Sequence, residues 1–360
     1  MQFQNKKRIA YLASLTLFFS YTEMLLPRFL PFFRLGLGNV AILSSFTLDF
    51  PSFLILCFIK SFASCMTNGT LISPFFIISI SQSLISGLFM YGLFKIKGKF
   101  LSLYGISICG SIASVFVQIS LSALYLGKET FSLLGPMMIF SIFAAILTAI
   151  LANFLKIPEN TPEIINTEEN FTEKQDNRNQ IFCAICILIS TILIFMTKNI
   201  VLLSAALVIA FIFQKISGRK IYFKTHIFTW IFIIFVSIFT PSGKVWFKIL
   251  NISVTEGALF IALEKALKLS AAVSLSQVAA TLKPKDGSFA AESLKYYGAL
   301  IFNFRNQKGN IFQKIKKTLE EENLPADEKK SKGLSLRLCI LILLIFALIF
   351  TAGKIFKIFQ

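Results

Sequence analysis

The chain has 360 residues, 55% hydrophobic and 15% charged, with 41 Phe among them. Apolar runs this long leave no amphipathic face and overfill a single globular core, which excludes a soluble enzyme. The 36 Lys and Arg exceed the 18 Asp and Glu to give +18, but they punctuate apolar runs, a pattern of membrane topology with no nucleic-acid partner implied.

Lys6, Lys7 and Arg8 precede the first apolar run, near 9–26. No small-x-small cleavage pattern ends that run, so it reads as an uncleaved first helix with a cytoplasmic N-terminus. Further runs lie near 39–49, 52–68, 72–93, 101–126 and 131–155. Asp49-Phe50-Pro51 interrupts what would otherwise be one span, and Pro51 suits the first turn of a new helix. Two short helices within 39–68 put Lys6–Arg8, Lys95, Lys97, Lys99 and Lys156 on one side of the membrane. Six spans therefore satisfy the positive-inside rule, whereas five would place Lys95–Lys99 outside.

Residues 157–180 hold six of the eighteen acidic residues and read as an acidic cytoplasmic linker. It divides a membrane domain, 1–156, from a second, 181–360. Apolar runs in the second lie near 181–197, 200–214, 226–240 and 255–280, then a polar stretch leads to a last span near 336–353. Lys215, Arg219, Lys220 and Lys224 fall inside in this reading, while Lys354 and Lys357 fall outside against the rule. The fold class is thus all-α: a polytopic membrane protein with a six-helix bundle, about five further transmembrane helices and a cytoplasmic helical segment.

Ionisable residues at membrane depth cost about 2.5–3.5 kcal/mol on insertion scales and are functional candidates by default. Glu23, Arg34, Asn39 and Lys60 are the candidates, with Arg28 beside them on the side where basic residues are scarce. They suit a partly buried, positively charged site under the loop 27–38, with Glu23 holding an arginine. The alternative has Arg28 and Arg34 snorkelling to headgroups and Lys60 pairing with Asp49 or Glu23 as a structural bridge. Gly36 and Gly38 let the loop turn sharply and approach a ligand or a neighbouring helix. Their GxGxxA spacing lacks the βαβ unit of a dinucleotide site. Gln82 and Gln118 are polar groups inside spans, where hydrogen bonding between helices is the common outcome. The lone His226 reads as interfacial, and Cys183-x-x-Cys186 lacks the further ligands of a zinc site. No P-loop and no paired-aspartate motif for metal-assisted prenyl chemistry occurs. The reading therefore contains no catalytic residue, no cofactor and no metal site.

Glu23, Pro27, Pro31, the run Arg34-Leu35-Gly36-Leu37-Gly38-Asn39-Val40, and Gly69-Thr70 with Ser73-Pro74 together resemble the Gx transporter family, also described as heptaprenyl diphosphate synthase component I. The resemblance covers about 20–155. It implies the six-helix substrate-binding (S) component of an energy-coupling factor transporter, which captures a small-molecule substrate beneath its first loop. Glu23, Arg34, Gly36, Gly38, Asn39, Lys60 and Gln118 are the substrate-site residues on this reading. The family has Lys where Arg34 stands, and its fifth-helix His-Asn pair is replaced by Ser114-Val115. Thr255-Glu256-Gly257 and Thr281 to Pro284 look more faintly like the transmembrane (T) component. Residues 285–335 occupy the place of its coupling helices, with Arg305 the nearest substitute for the missing docking signature that meets the ATPase subunits. A solvated charge on a basic amphipathic helix beside the bilayer explains Arg305 equally well. The rival readings are a non-transporting scaffold for a polyprenyl diphosphate synthase and a membrane enzyme.

Overall fold

The structure, a computed structural model, describes residues 2–25, 36–96, 102–155, 162–165, 177–238, 243–249, 252–282, 284, 287–321, 323–325 and 335–358. Helices α1 (Gln2–Leu25), α2 (Asn39–Leu43), α3 (Phe50–Asn68), α4 (Pro74–Ile96), α5 (Leu103–Leu126) and α6 (Leu134–Phe154) form the N-terminal bundle, with a 3-10 turn at Lys128–Leu133. Strand β1 (Glu163–Ile165) follows, then α7 (Asn177–Met196), α8 (Ile200–Ile216), α9 (Phe223–Ile238) and the hairpin β2 (Val245–Ile249) and β3 (Ile252–Thr255). The chain continues through α10 (Glu256–Ala279), α11 (Phe289–Asn306), α12 (Ile311–Glu320), β4 (Asn323–Pro325) and α13 (Leu336–Ile358).

Pro74–Ile96, Leu103–Leu126, Thr130–Phe154, Arg178–Met196 and Leu336–Lys354 are long and apolar enough to cross a bilayer. Phe50–Met66, Ile200–Ile216 and Phe223–Ile238 are shorter apolar helices. Phe89, Phe143, Ile181 and Leu348 stand exposed on such helices, which is the surface lipid covers in a polytopic helical membrane protein.

The expected span at 39–49 is corrected. Helix α2 has five residues, about 7.5 Å at 1.5 Å per residue, against a hydrocarbon core of about 30 Å. It stops at its C-cap Ser44, after which the chain turns, with Ser45 N donating to the Ile42 carbonyl and Leu48 N to the Ser45 carbonyl, each at 3.0 Å. A new helix begins where Pro51 fits, and the Asp49 carboxylate caps it by accepting from the Ser52 amide at 3.4 Å. Hydrogen bonding from Ser52 holds the Asp49 carboxyl below its usual pKa. The acid at 49 thus serves its own helix, which removes it as the expected partner of Lys60.

Small residues set the helix spacing. A Cβ on Gly87 would lie 2.7 Å from the Cys57 sulfur and 3.4 Å from the Phe53 ring, both in α3. Gly87→Val is therefore expected to destabilise the bundle by about 1–3 kcal/mol through overpacking, read as a lowered midpoint of thermal unfolding in detergent.

Two further features were not visible in the sequence. Strand β1, in the acidic segment, pairs in parallel with β4, so Glu163–Ile165 are tied to Asn323–Pro325. Helix α11 runs along α1 in the same direction: Tyr11 packs on Tyr296 at 5.7 Å, Phe18 on Phe304 at 5.5 Å, and Lys6 lies over Phe289 at 5.5 Å. Ala10, Ala13 and Ala299 are fully buried in the same core cluster, and small side chains let two helix backbones approach.

Candidate functional site

The loop after α1 returns to it through two backbone amides. The Glu23 carboxylate accepts from Gly36 N at 3.2 Å and from Leu37 N at 3.1 Å. Gly36 holds φ of +73°, a left-handed turn that a side chain would strain. Gly38 has an ordinary helical backbone but a different constraint: a Cβ there would meet Ser20 Oγ at 2.9 Å and the Thr16 carbonyl at 3.1 Å. The first glycine is needed for its conformation and the second for close approach to α1.

This fold-back positions Asn39, whose Oδ1 accepts from Lys60 Nζ at 2.5 Å. The ion pairs among the described residues are Lys268 with Glu264 and Lys316 with Glu320, so no described carboxylate lies within 4.0 Å of the Lys60 ammonium. The structural bridge expected as one alternative is thus not made with either candidate. Glu23 is engaged by backbone amides, and Asp49 caps its own helix.

Glu23, Gly36, Gly38, Asn39, Lys60 and Gln118 line a single cavity of about 890 Å³. Gln118 accepts from Gln82 Nε2 at 3.0 Å, joining α5 to α4 at the wall. Arg34 and Arg28 lie outside the described residues. Arg305 is far from this group in sequence yet reaches the same helix as Glu23. Its guanidinium donates to the Tyr21 hydroxyl at 3.4 Å and stands 5.9 Å from that ring.

The sequence reading passed over the chief polar surface. Ser107, Ser111, Ser114, Gln118 and Ser122 line the cavity from α5, at spacings of three and four that place them on one helical face. Ser107 donates to the Ala145 carbonyl and Ser111 to the Ser141 carbonyl, each at 2.9 Å, so this face also fastens α5 to α6. The signal was present as a serine periodicity inside an apolar run. It was hidden because serine hardly changes mean hydropathy. The cavity also reaches His226, read above as merely interfacial, and Lys224 beside it.

The cavity lining offers the Lys60 ammonium with no described carboxylate within 4.0 Å, the Lys224 ammonium on the α9 wall, the Glu23 carboxylate, three carboxamides (Asn39, Gln82 and Gln118) and a row of hydroxyls. Its two ammonium groups against one carboxylate make it chemically better suited to a polar, negatively charged group than to a cation.

Residues 12–155 match the family model described as heptaprenyl diphosphate synthase component I. Residues 178–281 match a model described only as a domain of unknown function. No curated protein and no solved structure matches the chain.

Proposed function

We propose that this chain, whose residues 12–155 match the family model described as heptaprenyl diphosphate synthase component I, takes up a small polar solute bearing an anionic group. Residues 1–156 act as the S module and 181–360 as a T-like module joined by 157–180. Separate ATPase subunits of the energy-coupling factor type supply the energy, the N-terminus is cytoplasmic, and the chain itself performs no catalysis. One observation carries the reading: the Lys60 ammonium, held on Asn39, faces a polar cavity with no described carboxylate within 4.0 Å. A bound anion offsets the cost of that charge. Glu23, Gly36 and Gly38 shape the mouth, Gln118 orients the solute, and Arg34 adds positive charge in this proposal.

The packing of α11 along α1 supports coupling between the modules, because a stretch in the place of the coupling helices touches the substrate module directly. Arg305 is proposed to relay ATPase movement through that contact. Arg305→Ala is expected to leave the protein in the membrane and to lower uptake by about tenfold, on the scale of one charged hydrogen bond. Reconstituted vesicles containing the ATPases measure this, and unchanged uptake would remove Arg305 from the coupling path.

The printed family description favours a second reading, a non-transporting membrane subunit of a polyprenyl diphosphate synthase. Affinity purification of the full chain separates the two. Paired ATPases are expected, whereas a prenyl synthase recovered without ATPases would reject transport.

A further inference from the structure

The cavity does not stop at the end of the component I segment. Its wall continues onto α9 at Lys224, Thr225, His226 and Thr229, and onto α10 at Ser270. The seam that makes this continuity is fixed by specific bonds. The Tyr125 hydroxyl donates to the Lys265 carbonyl at 2.8 Å, and Lys265 Nζ donates to the Leu126 carbonyl at 2.9 Å. Ile72 N donates to Ser276 Oγ at 2.8 Å, holding α10 against the turn before α4. Ile233 of α9 shares an apolar cluster with Leu126 of α5 and Ala266 of α10.

Helix α9 is otherwise rich in Phe and Ile, and of its cavity-lining residues 224, 225, 226, 228, 229, 232 and 233 all but His226 recur at helical spacing. The polar ones gather in its first two turns. Lys224 is exposed, and His226 is half-buried with its ring 5.1 Å from that of Phe211. Lys224 has no ion-pair partner among the described residues. A polar end on an apolar helix, opening into the cavity that contains Lys60, is the geometry of a second mouth.

We infer that the first two turns of α9 form a mouth through which an anionic solute reaches the Lys60 cavity from the end of the molecule where Arg219 meets Ala280 and Ile72 meets Ser276, with Lys224 drawing the anion. The second module thus handles the solute directly as well as transmitting movement. This inference rests on the solute reading above for its biological meaning, but its test needs no knowledge of the solute.

The probes are two thiol reagents of similar size, an anionic sulfonatoethyl and a cationic trimethylammonioethyl methanethiosulfonate. The full chain carries Ser114→Cys on the cavity face of α5, and modification is read by mass spectrometry on the peptide holding residue 114. Ser122→Cys serves as the reporter if the first variant does not accumulate. In membranes presenting Lys224 to the reagent, the anionic probe is expected to react faster. Adding Lys224→Glu is expected to lower the ratio of anionic to cationic rates by about threefold or more, since charge at a narrow mouth alters local probe concentration. Lys215→Glu, on α8 and away from the cavity wall, is expected to leave the ratio within error. Thr229→Trp is expected to slow both probes.

The inference is overturned if Lys224→Glu leaves the ratio unchanged, if Lys215→Glu changes it equally, or if residue 114 is reached only from the opposite face. Failure here leaves solute capture at Lys60 untouched. Conversely, failure of capture leaves the accessibility result standing, so the two ideas fall separately.

Discussion

Lys60→Met is expected to lower solute capture by about 10- to 100-fold while leaving the unfolding temperature unchanged or raised. The loss follows from removing one charged hydrogen bond to an anion, about 1.5–3 kcal/mol. The retained stability follows from the surroundings. Met keeps most of the apolar stem, and the ammonium it replaces has no described carboxylate within 4.0 Å. The cost of holding a charge at membrane depth, about 2.5–3.5 kcal/mol, disappears with it. Asn39 loses its donor but faces the cavity, where water replaces it. A structural ion pair would behave oppositely, because removing one member of a buried pair costs about 3–5 kcal/mol. Ligand binding and thermal unfolding of the same sample separate the cases, and a large loss of stability with capture intact would contradict the account.

Glu23→Ala is expected to give the opposite signature, with capture and stability lost together. Its carboxylate satisfies two amides, Gly36 N and Leu37 N, that have to be held beside α1 for α2 to begin where it does. Two charge-assisted bonds are worth about 3 kcal/mol or more. Without them the glycine turn is released from α1, and Asn39 no longer stands in front of Lys60. Glu23→Gln keeps one acceptor oxygen and is expected to fall between wild type and Glu23→Ala in both measurements. Equal capture by all three proteins would show that the turn is not required for the site.

These two variants also mark what the sequence reveals and what it hides. Stranded charges are visible because an ionisable residue in an apolar run is costly. Hence Glu23 and Lys60 stand out without coordinates, and Gly36, Gly38 and Asn39 follow from their place between helices. Their partners were not visible. A carboxylate accepting from backbone amides leaves no trace in side-chain composition, so the bonds from Gly36 N and Leu37 N to Glu23 are visible only in the structure, while Arg28 and Arg34 lie outside the described residues.

Hydropathy also counts 39–49 as a span, because it measures apolar content but not whether the chain turns after five helical residues. The serine face of α5 requires reading periodicity within a run already assigned as greasy. The α9 mouth is a tertiary fact. Nothing near Lys224 in sequence signals that α9 closes a cavity most of whose walls lie more than seventy residues earlier. The pairing of β1 with β4 is likewise long-range and rests on backbone bonds between short segments of ordinary composition.

Native mass spectrometry of the full chain, purified from membranes and released gently from detergent, tests capture most directly. The account predicts a single small negatively charged solute on the wild-type protein, absent from Lys60→Met prepared in parallel. A wild-type chain that carries nothing and takes up no member of an anionic solute panel would contradict it. The same adduct at equal occupancy on both proteins would contradict it as well.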